Sequence, residues 1–364
     1  MARRVTEPAV LVLNAGSSTL KGARFDGVEE RARVQVGLDG RSPADALDQL
    51  LDHFAPVGRY APDAIGHRIV HGGARGESAL VDEALVAELR ALAPLAPLHQ
   101  GPGLGLLDAT RTRYADVPQV ACFDTAFHRA LPEVAQRFAL DERWWDAGVR
   151  RYGFHGLSFT FLLHAVPEAH EGRVVLAHLG SGASLAALRD GAPQDTTMGL
   201  TPTGGLVMAT RSGDLDPGAV LYLARALDGN ADALERAVDQ DAGLLGASGT
   251  TGDLRRLLAT RETDQRAALA VELFCRSVRK HVGALAAVLG GIDLLVFSGG
   301  IGEHSPEVRA QIVGGLEHLG TRLDPSANAA GARDISAAGA QCRVLVVPTD
   351  EEWVIARETC AIVG

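Results

Sequence analysis

The sequence contains the same local pattern twice, and this internal repeat constrains the fold more than any other feature. In each copy an apolar run leads into a Gly-Ser turn, continues through a second short run and ends at Asp-Gly. The turns at Gly16 and Gly180 and the Asp-Gly pairs ending at Gly27 and Gly191 are separated by the same 164 positions. A constant offset across the whole pattern indicates duplication, and therefore two halves of one design.

Each turn also has the composition of an anion-binding loop. Successive backbone N–H groups and short hydroxyls in such a turn can surround phosphate oxygens. A plain β-hairpin is the alternative for a single copy, but two matched copies favour a polyphosphate held by both halves. The residues that we assign to this role are Asn14, Ser17, Thr19 and Lys21 in the first turn and Gly180, Ser181 and Gly182 in the second.

The length and the apolar pattern predict an α/β protein of two domains. A chain of 364 residues exceeds what one hydrophobic core usually supports. Short apolar runs bounded by glycine predict strands buried on both faces, at residues 11–13, 174–177, 294–297 and 344–347. Helical periodicity predicts helices at residues 44–54, 82–92, 266–289 and 306–319. We expect an N-terminal domain of residues 1–149 plus 349–364 and a C-terminal domain of residues 150–348.

Charge and composition exclude several classes of partner. The net charge is −10 and both signs are mixed along the chain, which argues against nucleic acid or an anionic membrane as partner. The four cysteines form no C-x-x-C pair, and no apolar run reaches the roughly 18 residues of a membrane span. We therefore expect a cytoplasmic protein. Residues 29–62 are charged and rich in Gly and Pro, and we assign no chemistry to them.

Polar residues cluster in apolar or glycine-rich surroundings at many places along the chain. The sequence has no G-x-x-x-x-G-K-[ST] loop and no H-R-D or D-F-G motif, which disfavours P-loop and protein-kinase architectures. If this protein transfers phosphate, it must therefore bind it with a different architecture. The clusters lie at residues 66–73, 96–99, 123–128, 151–156, 178–182, 200–202, 209–214, 298–303 and 348–352.

With these clusters the sequence resembles the acetate kinase family, the acyl-phosphate-forming branch of the sugar kinase, Hsp70 and actin superfamily. The resemblance covers residues 11–359 and is most specific at residues 150–156 and 208–217. It implies two duplicated actin-like (ribonuclease H-like) domains, each with a mixed five-stranded sheet flanked by helices, and an active-site cleft between them. It also implies domain closure and a homodimer formed through the C-terminal domain.

The resemblance further implies ATP- and Mg²⁺-dependent, reversible phosphorylation of acetate to acetyl phosphate by direct in-line transfer, with Mn²⁺ as a possible substitute. Two anions must then approach each other, so cationic donors are the main catalytic requirement. Arg68 and Arg211 have planar forks that suit carboxylate and phosphoryl oxygens, and an inter-domain salt bridge is the alternative. His155 is the expected donor to the phosphoryl group, with His99 and His178 as further candidates.

The remaining roles follow from the same resemblance. Asp124 and Glu351, with Asn14, are the expected Mg²⁺ ligands, although Glu351 could instead cap a helix. We interpret His71 and His128 as structural. The acyl pocket is assigned to Arg68, Val70, Leu98, Phe154 and Pro202, and the nucleotide to Asp253, Leu254, Arg255, Gly299, Gly300, Ile301 and Gly302.

Five positions depart from the family's usual pattern. Asn is the usual residue at four of them, and at the fifth Thr19 stands in place of Ser. Ser181 and His304 fall near the expected phosphates, so the phosphoryl donor stays open between ATP, GTP and pyrophosphate. The four positions at which Asn is replaced carry Gln100, Ser181, His304 and Asp350.

Three other functions stay open. The volume of the acyl pocket suggests a two- or three-carbon acid, but one methylene is worth only about 1–3 kcal/mol, so propionate or butyrate are alternatives to acetate. A nucleotide-binding module without catalysis is disfavoured by the full set of charged residues. A sugar or glycerol kinase would need a carboxylate base near a hydroxyl, and paired arginines suit a carboxylate better.

Overall fold

The computed structural model describes residues 7–16, 19–38, 40–54 and 61–364. These residues form two compact units. Unit 1 comprises the described residues of Met1–Arg129 together with Phe154–Phe161 and Asp350–Gly364, and unit 2 comprises Ala130–Gly153 and Leu162–Thr349. The units differ from the expected domains in two segments and at one further residue, because residues 130–149 and Thr349 belong to unit 2 and residues 154–161 to unit 1.

Unit 1 contains a mixed sheet in which β1 pairs antiparallel with β2 and parallel with β4, β2 pairs antiparallel with β3, and β4 pairs parallel with β6. The sheet has six strands in the order β3-β2-β1-β4-β6-β5, not the expected five. The sixth is the two-residue β5 at the edge, which pairs antiparallel with β6. The strands are β1 Ala9–Ala15, β2 Thr19–Asp26, β3 Glu29–Gly37, β4 Ala64–Ile69, β5 Ala79–Leu80 and β6 Gln119–Phe123.

Helices cover both faces of this sheet. The helices of unit 1 are α1 Pro43–Phe54, α2 Glu83–Ala91, α3 Pro97–Arg113 and α15 Glu351–Val363, with short 3₁₀ turns at Ala93–Leu95 and Ala126–Ala130. Successive strand residues point to opposite faces. Leu11 and Leu13 therefore pack with α1 and α3, whereas Val10 and Val12 pack with Val354 of α15 and its neighbours.

Unit 2 is built around a five-stranded mixed sheet in the order β11-β10-β7-β8-β9. Its strands are β7 Arg173–Leu179, β8 Ala183–Arg189, β9 Ala192–Thr196, β10 Leu294–Ser298 and β11 Arg343–Val346. The unit also contains 3₁₀ turns at Pro167–His170 and Glu317–Leu319, and α6 Gly156–Ala165 begins in unit 1 and ends in unit 2. Its other helices are α4 Glu133–Gln136, α5 Glu142–Asp146, α7 Pro217–Ala226, α8 Ala231–Asp239, α9 Gly243–Ser248, α10 Leu254–Thr260, α11 Gln265–Leu289, α12 Gly299–His304, α13 Pro306–Val313 and α14 Pro325–Ala330.

The duplication seen in the sequence is present in the topology. The orders β3-β2-β1-β4-β6 and β9-β8-β7-β10-β11 have the same antiparallel and parallel pairings. Strand β1 maps onto β7 at the 164-residue offset, residue for residue. The hairpins differ in register by one residue, because the first closes at Ala15–Leu20 and the second at Leu179–Ala183.

Most predicted elements are present, with one clear error. Helix α11 ends at Leu289, where Gly290 adopts a φ of 73° and its N–H donates to the last turn. The helix expected at residues 306–319 is wrong in length, since α13 ends at Val313 and Gly315 follows with a φ of 101°. Within the described ranges, no helix combines the length and apolarity that a membrane span requires.

Candidate active site

Three polar side chains of unit 1 lie at the carboxyl ends of neighbouring parallel strands. Asn14 lies near the end of β1, Arg68 near the end of β4, and Asp124 directly after β6. The β1–β4 and β4–β6 registers and the alternation of side chains place all three on the face covered by α15. Carboxyl ends of parallel strands are where α/β proteins bind ligands.

The guanidinium of Arg68 links these residues. Its Nε and Nη2 both donate to Asp124 Oδ2, at 2.9 and 2.6 Å, and its Nη1 donates to Asn14 Oδ1 at 3.1 Å. Glu351 Oε2 lies 3.8 Å from Nη1. These ion pairs lie within unit 1, so they do not support the inter-domain salt bridge considered for Arg68. Two of its five N–H groups are left over from these bonds.

Burial and the nearby Glu351 carboxylate disfavour the ionised form of Asp124. Burial raises its pKa to about 6; the Arg68 guanidinium opposes this rise, and Glu351 adds to it. Burial lowers the pKa of Arg68, but Asp124 and Glu351 outweigh burial and hold that pKa above its ordinary value. Asp124 Oδ1 is buried and accepts no hydrogen bond from the described residues. An unsatisfied carboxylate oxygen of this kind suits a bound cation.

The first turn of α15 supplies the other carboxylates. Asp350 is the N-cap, and its side chain accepts the N–H of Trp353 at 3.0 Å. The capping role considered for Glu351 therefore belongs to Asp350. Asn14 Nδ2 donates to Glu351 Oε2 at 3.0 Å and to Glu352 Oε1 at 2.7 Å. This brings Glu351 next to Asn14 and Arg68, as the metal assignment requires.

His155 lies on a strained turn beside Asp124. Its φ is 59°, a conformation that non-glycine residues seldom adopt. The next residue, Gly156, donates its N–H to the carbonyl of Asp124 at 2.9 Å, and a Cβ at Gly156 would lie 2.2 Å from that oxygen. His128 Nε2 donates to the carbonyl of Phe154 at 2.9 Å. The turn is thus fixed on both sides of His155.

The two histidines that we interpreted as structural both contact the pocket residue Phe154. The His71 ring meets the Phe154 ring edge-on at 5.5 Å, and His71 Nδ1 accepts the N–H of Gly73. Val70 and Phe154 are both buried. His99 lies near the start of α3. Ser17 and the side chain of Leu98 lie outside the described part of the structure, so their expected roles stay predictions.

In the rest of the first-turn segment, the backbone closes the turn and Lys21 lies on strand β2. Gly16 donates its N–H to the carbonyl of Thr19 at 2.8 Å, which closes the turn on itself. Lys21 is exposed and lies opposite Asn14 in the β1–β2 register. Directly opposite residues share a face, so Lys21 lies on the same face as Asn14 and Arg68.

In unit 2 the structure brings Arg211 close to two other candidate residues. Arg211 Nη1 donates to the carbonyl of Pro202 at 2.9 Å. The neighbouring Ala209 donates its N–H to the carbonyl of Ser181 in the second turn, at 3.1 Å. A Cβ at Gly243 would lie 2.2 Å from the carbonyl oxygen of Met208, so α9 packs closely on this loop. Arg211, Pro202 and the Gly180–Gly182 turn therefore form one group.

The glycine-rich loop that opens α12 lies beside the same turn. His178 and Ser298 are register neighbours on β7 and β10, and a Cβ at Gly299 would lie 2.7 Å from the carbonyl oxygen of Leu179. The N–H of Gly299 donates to Glu303 Oε1 at 2.9 Å. This amide is therefore already satisfied, which leaves Gly300, Ile301 and Gly302 as the candidate donors of the loop.

The Asp253–Arg255 segment adopts a capped helix start. Asp253 is the N-cap of α10 and also pairs with Arg255, whose side chain is largely exposed. Leu254 is buried, so this residue can present only its backbone to a ligand.

Of the positions that depart from the family's usual pattern, Gln100 forms hydrogen bonds with the backbone N–H and the carbonyl of His71 inside unit 1, whereas the side chain of His304 is mostly exposed.

Several residues at these sites were missed from the sequence. Arg309 is fully buried and donates to the carbonyls of Gly302 and Glu303, which fixes the end of α12. Ser298 carries a buried hydroxyl without a hydrogen-bond partner among the described residues. Its position directly before the glycine-rich loop was a usable signal. Arg33 and Glu352 also join the unit 1 cluster, and adjacency to Glu351 could have indicated Glu352.

The described residues contain no group of three or more His, Cys, Asp or Glu that forms a ready metal cage. A Mg²⁺ ion does not need one, because it keeps several waters and takes few protein ligands. Asp124 and Glu351, both buried and joined through Arg68 and Asn14, fit that requirement. The donor set therefore fits a hard divalent cation.

Comparisons with known proteins identify the family of this chain. The acetokinase family matches residues 41–357. Acetate kinase of Nitrobacter hamburgensis is 41% identical, with 97% of this chain and 96% of that protein covered, and acetate kinase of Rhizobium meliloti is 42% identical over 98% of both. A propionate kinase from Francisella tularensis has a TM-score of 0.90 at 31% identity, covering 98% of this chain and 100% of that one. Porphyromonas gingivalis acetate kinase has a TM-score of 0.84 at 33% identity, with the same coverage. The chain belongs to the acetokinase family.

Proposed function

We propose that this protein transfers the γ-phosphoryl group of ATP to the carboxylate of acetate, reversibly, to give acetyl phosphate and ADP. The observation that carries the proposal is the cluster of Asn14, Arg68, Asp124 and Glu351 at the strand ends of unit 1. Two N–H groups of Arg68 remain after its three hydrogen bonds, and Asp124 Oδ1 accepts no hydrogen bond from the residues that the structure describes, so the cluster can hold an anion and a cation together. The relatives named acetate kinase support the choice of acid.

Arg68 and Arg211 would act on the two negatively charged reactants. The two remaining N–H groups of Arg68 suit the carboxylate of the acid, because a guanidinium fork matches carboxylate geometry. Arg211 is assigned to the transferring phosphoryl group. His155, fixed between Phe154 and Gly156, would donate a hydrogen bond to the same group. Positive donors at these points stabilise the charge that spreads over the phosphoryl oxygens.

Asp124 and Glu351 would hold a divalent metal ion, with Asn14 beside them. Mg²⁺ is our choice because the donors are hard oxygens, and Mn²⁺ would fit the same set. When bound, the ion neutralises charge on the phosphate oxygens. Asp124 must be ionised to serve as a ligand, and Arg68 supports its ionised form.

The nucleotide is assigned to unit 2. The Gly180–Gly182 turn, His178 and the loop Gly300–Gly302 would contact its phosphates, and Asp253–Arg255 its nucleoside. The hydroxyl of Ser298, which has no hydrogen-bond partner in the described ranges, gives this region a further hydrogen-bonding group. ATP is the proposed donor, and GTP or pyrophosphate are the alternatives that Ser181 and His304 leave open.

Propionate is the second candidate acid. The Francisella tularensis propionate kinase supports it, since that structure matches this one with a TM-score of 0.90. Of the residues assigned to the acid, Val70 and Phe154 of unit 1 and Pro202 of unit 2 are each buried and apolar. Because one methylene is worth only about 1–3 kcal/mol, we expect activity with both acids and a preference for acetate.

We also propose a homodimer that forms through unit 2. Helix α7 carries the exposed apolar side chains Leu221 and Tyr222, which are 56% and 69% exposed, and Leu215 lies just before this helix. Exposed apolar residues grouped on one element are typical of an interaction surface. Sedimentation of the purified protein would test the oligomeric state, and a monomer at all concentrations would contradict the proposal.

Trapping of acyl phosphate with hydroxylamine tests the main proposal. The purified protein would be assayed with formate, acetate, propionate and butyrate, each with ATP, GTP or pyrophosphate, in the presence and absence of Mg²⁺. We expect metal-dependent hydroxamate with acetate and ATP, and less with propionate. A clear preference for butyrate would refute the pocket assignment. Tight ATP binding without hydroxamate from any acid would favour the non-catalytic module.

A further inference from the structure

A network of charged side chains extends from the unit 1 cluster to strand β3. Glu352 is buried, and each of its carboxylate oxygens accepts a hydrogen bond from a described side chain. Its Oε1 accepts from Asn14 Nδ2 at 2.7 Å, and its Oε2 accepts from Arg33 Nη1 at 2.8 Å. Arg33 belongs to the segment of residues 29–62, to which we assigned no chemistry from the sequence. The register places it opposite Ala23 on the face covered by α15.

The side-chain amide of Asn14 has fixed partners at both ends. Its Nδ2 donates to Glu351 Oε2 and Glu352 Oε1, and its Oδ1 accepts from Arg68 Nη1. A rotated amide would set its oxygen against two carboxylates and its N–H groups against a guanidinium. The orientation of Asn14 therefore depends on Glu352, and Asn14 in turn joins Arg68 to the proposed metal ligand Glu351.

Arg33 holds Glu352 with a geometry that only a guanidinium provides. Its Nη1 bonds to Glu352, its Nη2 bonds to both oxygens of Asp350 at 2.8 and 3.0 Å, and its Nε bonds to Glu30 at 3.0 Å. A lysine has a single nitrogen and cannot reach three carboxylates in different directions. The Arg33 side chain is only 36% exposed and that of Glu352 is 3% exposed, so water replaces this bond poorly.

We propose that Arg33 is a positioning residue of the carboxylate and metal site. It holds Glu352, Glu352 holds the amide of Asn14, and Asn14 sets the positions of Arg68 and Glu351. The inference rests on the proposed function, because it concerns the site that binds the acid and the metal. Arg33 also offsets the negative charge of Asp350, the carboxylate that departs from the usual family pattern.

The test compares Arg33→Met with Arg31→Met. Arg31 is a matched control on the same strand: it is 44% exposed, pairs with Asp26 and Glu29, and has no contact with Glu352 among its hydrogen bonds. For Arg33→Met we expect the KM for acetate and the dissociation constant of Mn²⁺ to rise about tenfold or more, since one charge-assisted hydrogen bond is lost. The KM for ATP should change less than about twofold. Arg31→Met should leave all three constants unchanged.

Two further variants keep the inference falsifiable. Arg33→Lys retains the charge and guards against a folding defect in Arg33→Met; we expect it to recover only part of the loss. Arg33→Met combined with Glu352→Gln should lose little beyond Glu352→Gln alone, because both changes break the same link. Unchanged acetate and Mn²⁺ constants in Arg33→Met, an equal rise in the KM for ATP, or additive losses in the double variant would overturn the inference.

The Mn²⁺ measurement separates this inference from the proposed function. Titration of the protein with Mn²⁺ followed by electron paramagnetic resonance requires no turnover. If the wild-type protein makes acetyl phosphate and Arg33→Met binds Mn²⁺ and acetate normally, the role of Arg33 is refuted and the proposed function stands. If the wild-type protein makes no acyl phosphate, the proposed function fails, and weaker Mn²⁺ binding in Arg33→Met would still support the network.

Discussion

Replacement of Arg68 by lysine tests the central residue of the site. In the wild-type structure three N–H groups of Arg68 bond in two directions, two to Asp124 and one to Asn14. A lysine ammonium that keeps one of these partners cannot also offer the fork of two remaining N–H groups that we propose for the carboxylate of the acid, so two bonds to the substrate are lost. Each charge-assisted bond is worth about 1.5–3 kcal/mol, or about 3–6 kcal/mol together. At about 1.4 kcal/mol per factor of ten, kcat/KM for acetate should fall about 10²–10⁴-fold.

The assay is hydroxamate formation at saturating ATP and Mg²⁺ with acetate varied, and thermal unfolding of each variant checks the fold. Arg90→Lys is the matched control in the same unit, because Arg90 likewise makes two hydrogen bonds to one aspartate: its Nη2 donates to both oxygens of Asp108, at 3.0 and 2.9 Å. That pair is exposed and such pairs contribute about 0–1 kcal/mol, so kcat/KM should not change. If Arg68→Lys keeps more than about a tenth of the wild-type kcat/KM, the acid does not depend on the guanidinium fork of Arg68.

Four other changes test separate parts of the site. Metal should raise the melting temperature more at pH 7.5 than at pH 5, because the pKa of Asp124 is about 6 in the folded protein and metal binding needs the ionised carboxylate. Without metal, the raised pKa of Asp124 makes the folded protein less stable as the pH rises from about 4 to about 6. Equal metal-induced shifts at both pH values would contradict this prediction. Gly156→Ala should lower stability by about 1–3 kcal/mol and reduce activity, because the new Cβ meets the carbonyl of Asp124; unchanged denaturant midpoints would argue against it. His155→Asn should unfold near the wild-type temperature, since Asn tolerates positive φ, but lose most activity; an active variant would exclude His155 as a donor. Asp350→Asn should retain the wild-type KM for acetate, since Arg33 keeps its bond to Glu352, and a raised KM would show that Asp350 itself matters.

Sequence reasoning located the strand ends well and the supporting contacts poorly. Asn14, Arg68 and Asp124 could be placed because buried strands have a clear apolar pattern and their polar ends stand out. Arg33 could not be placed, since β3 is a polar strand whose contacts depend on α15, more than 300 residues later in the chain. The error at α13 has a local cause, because two consecutive glycines, Gly314 and Gly315, interrupt an otherwise helical pattern.

The duplication explains how one fold can carry two kinds of chemistry. Register equivalence maps Asn14, Arg68 and Asp124 of unit 1 onto His178, Ser298 and Thr349 of unit 2. The backbone positions correspond, but the first set has two formal charges, whereas the second offers an imidazole and two hydroxyls.

Charged groups at strand ends suit a metal and a carboxylate, which must be desolvated and oriented. Hydroxyls beside glycine-rich turns suit a polyphosphate that already carries its own charge. The hydroxyls of Ser298 and Thr349 are buried without hydrogen-bond partners in the described chain, as expected for groups whose partner is a ligand. The difference at these three equivalent positions therefore supports the proposal that unit 1 holds the metal and the carboxylate while unit 2 holds most of the nucleotide.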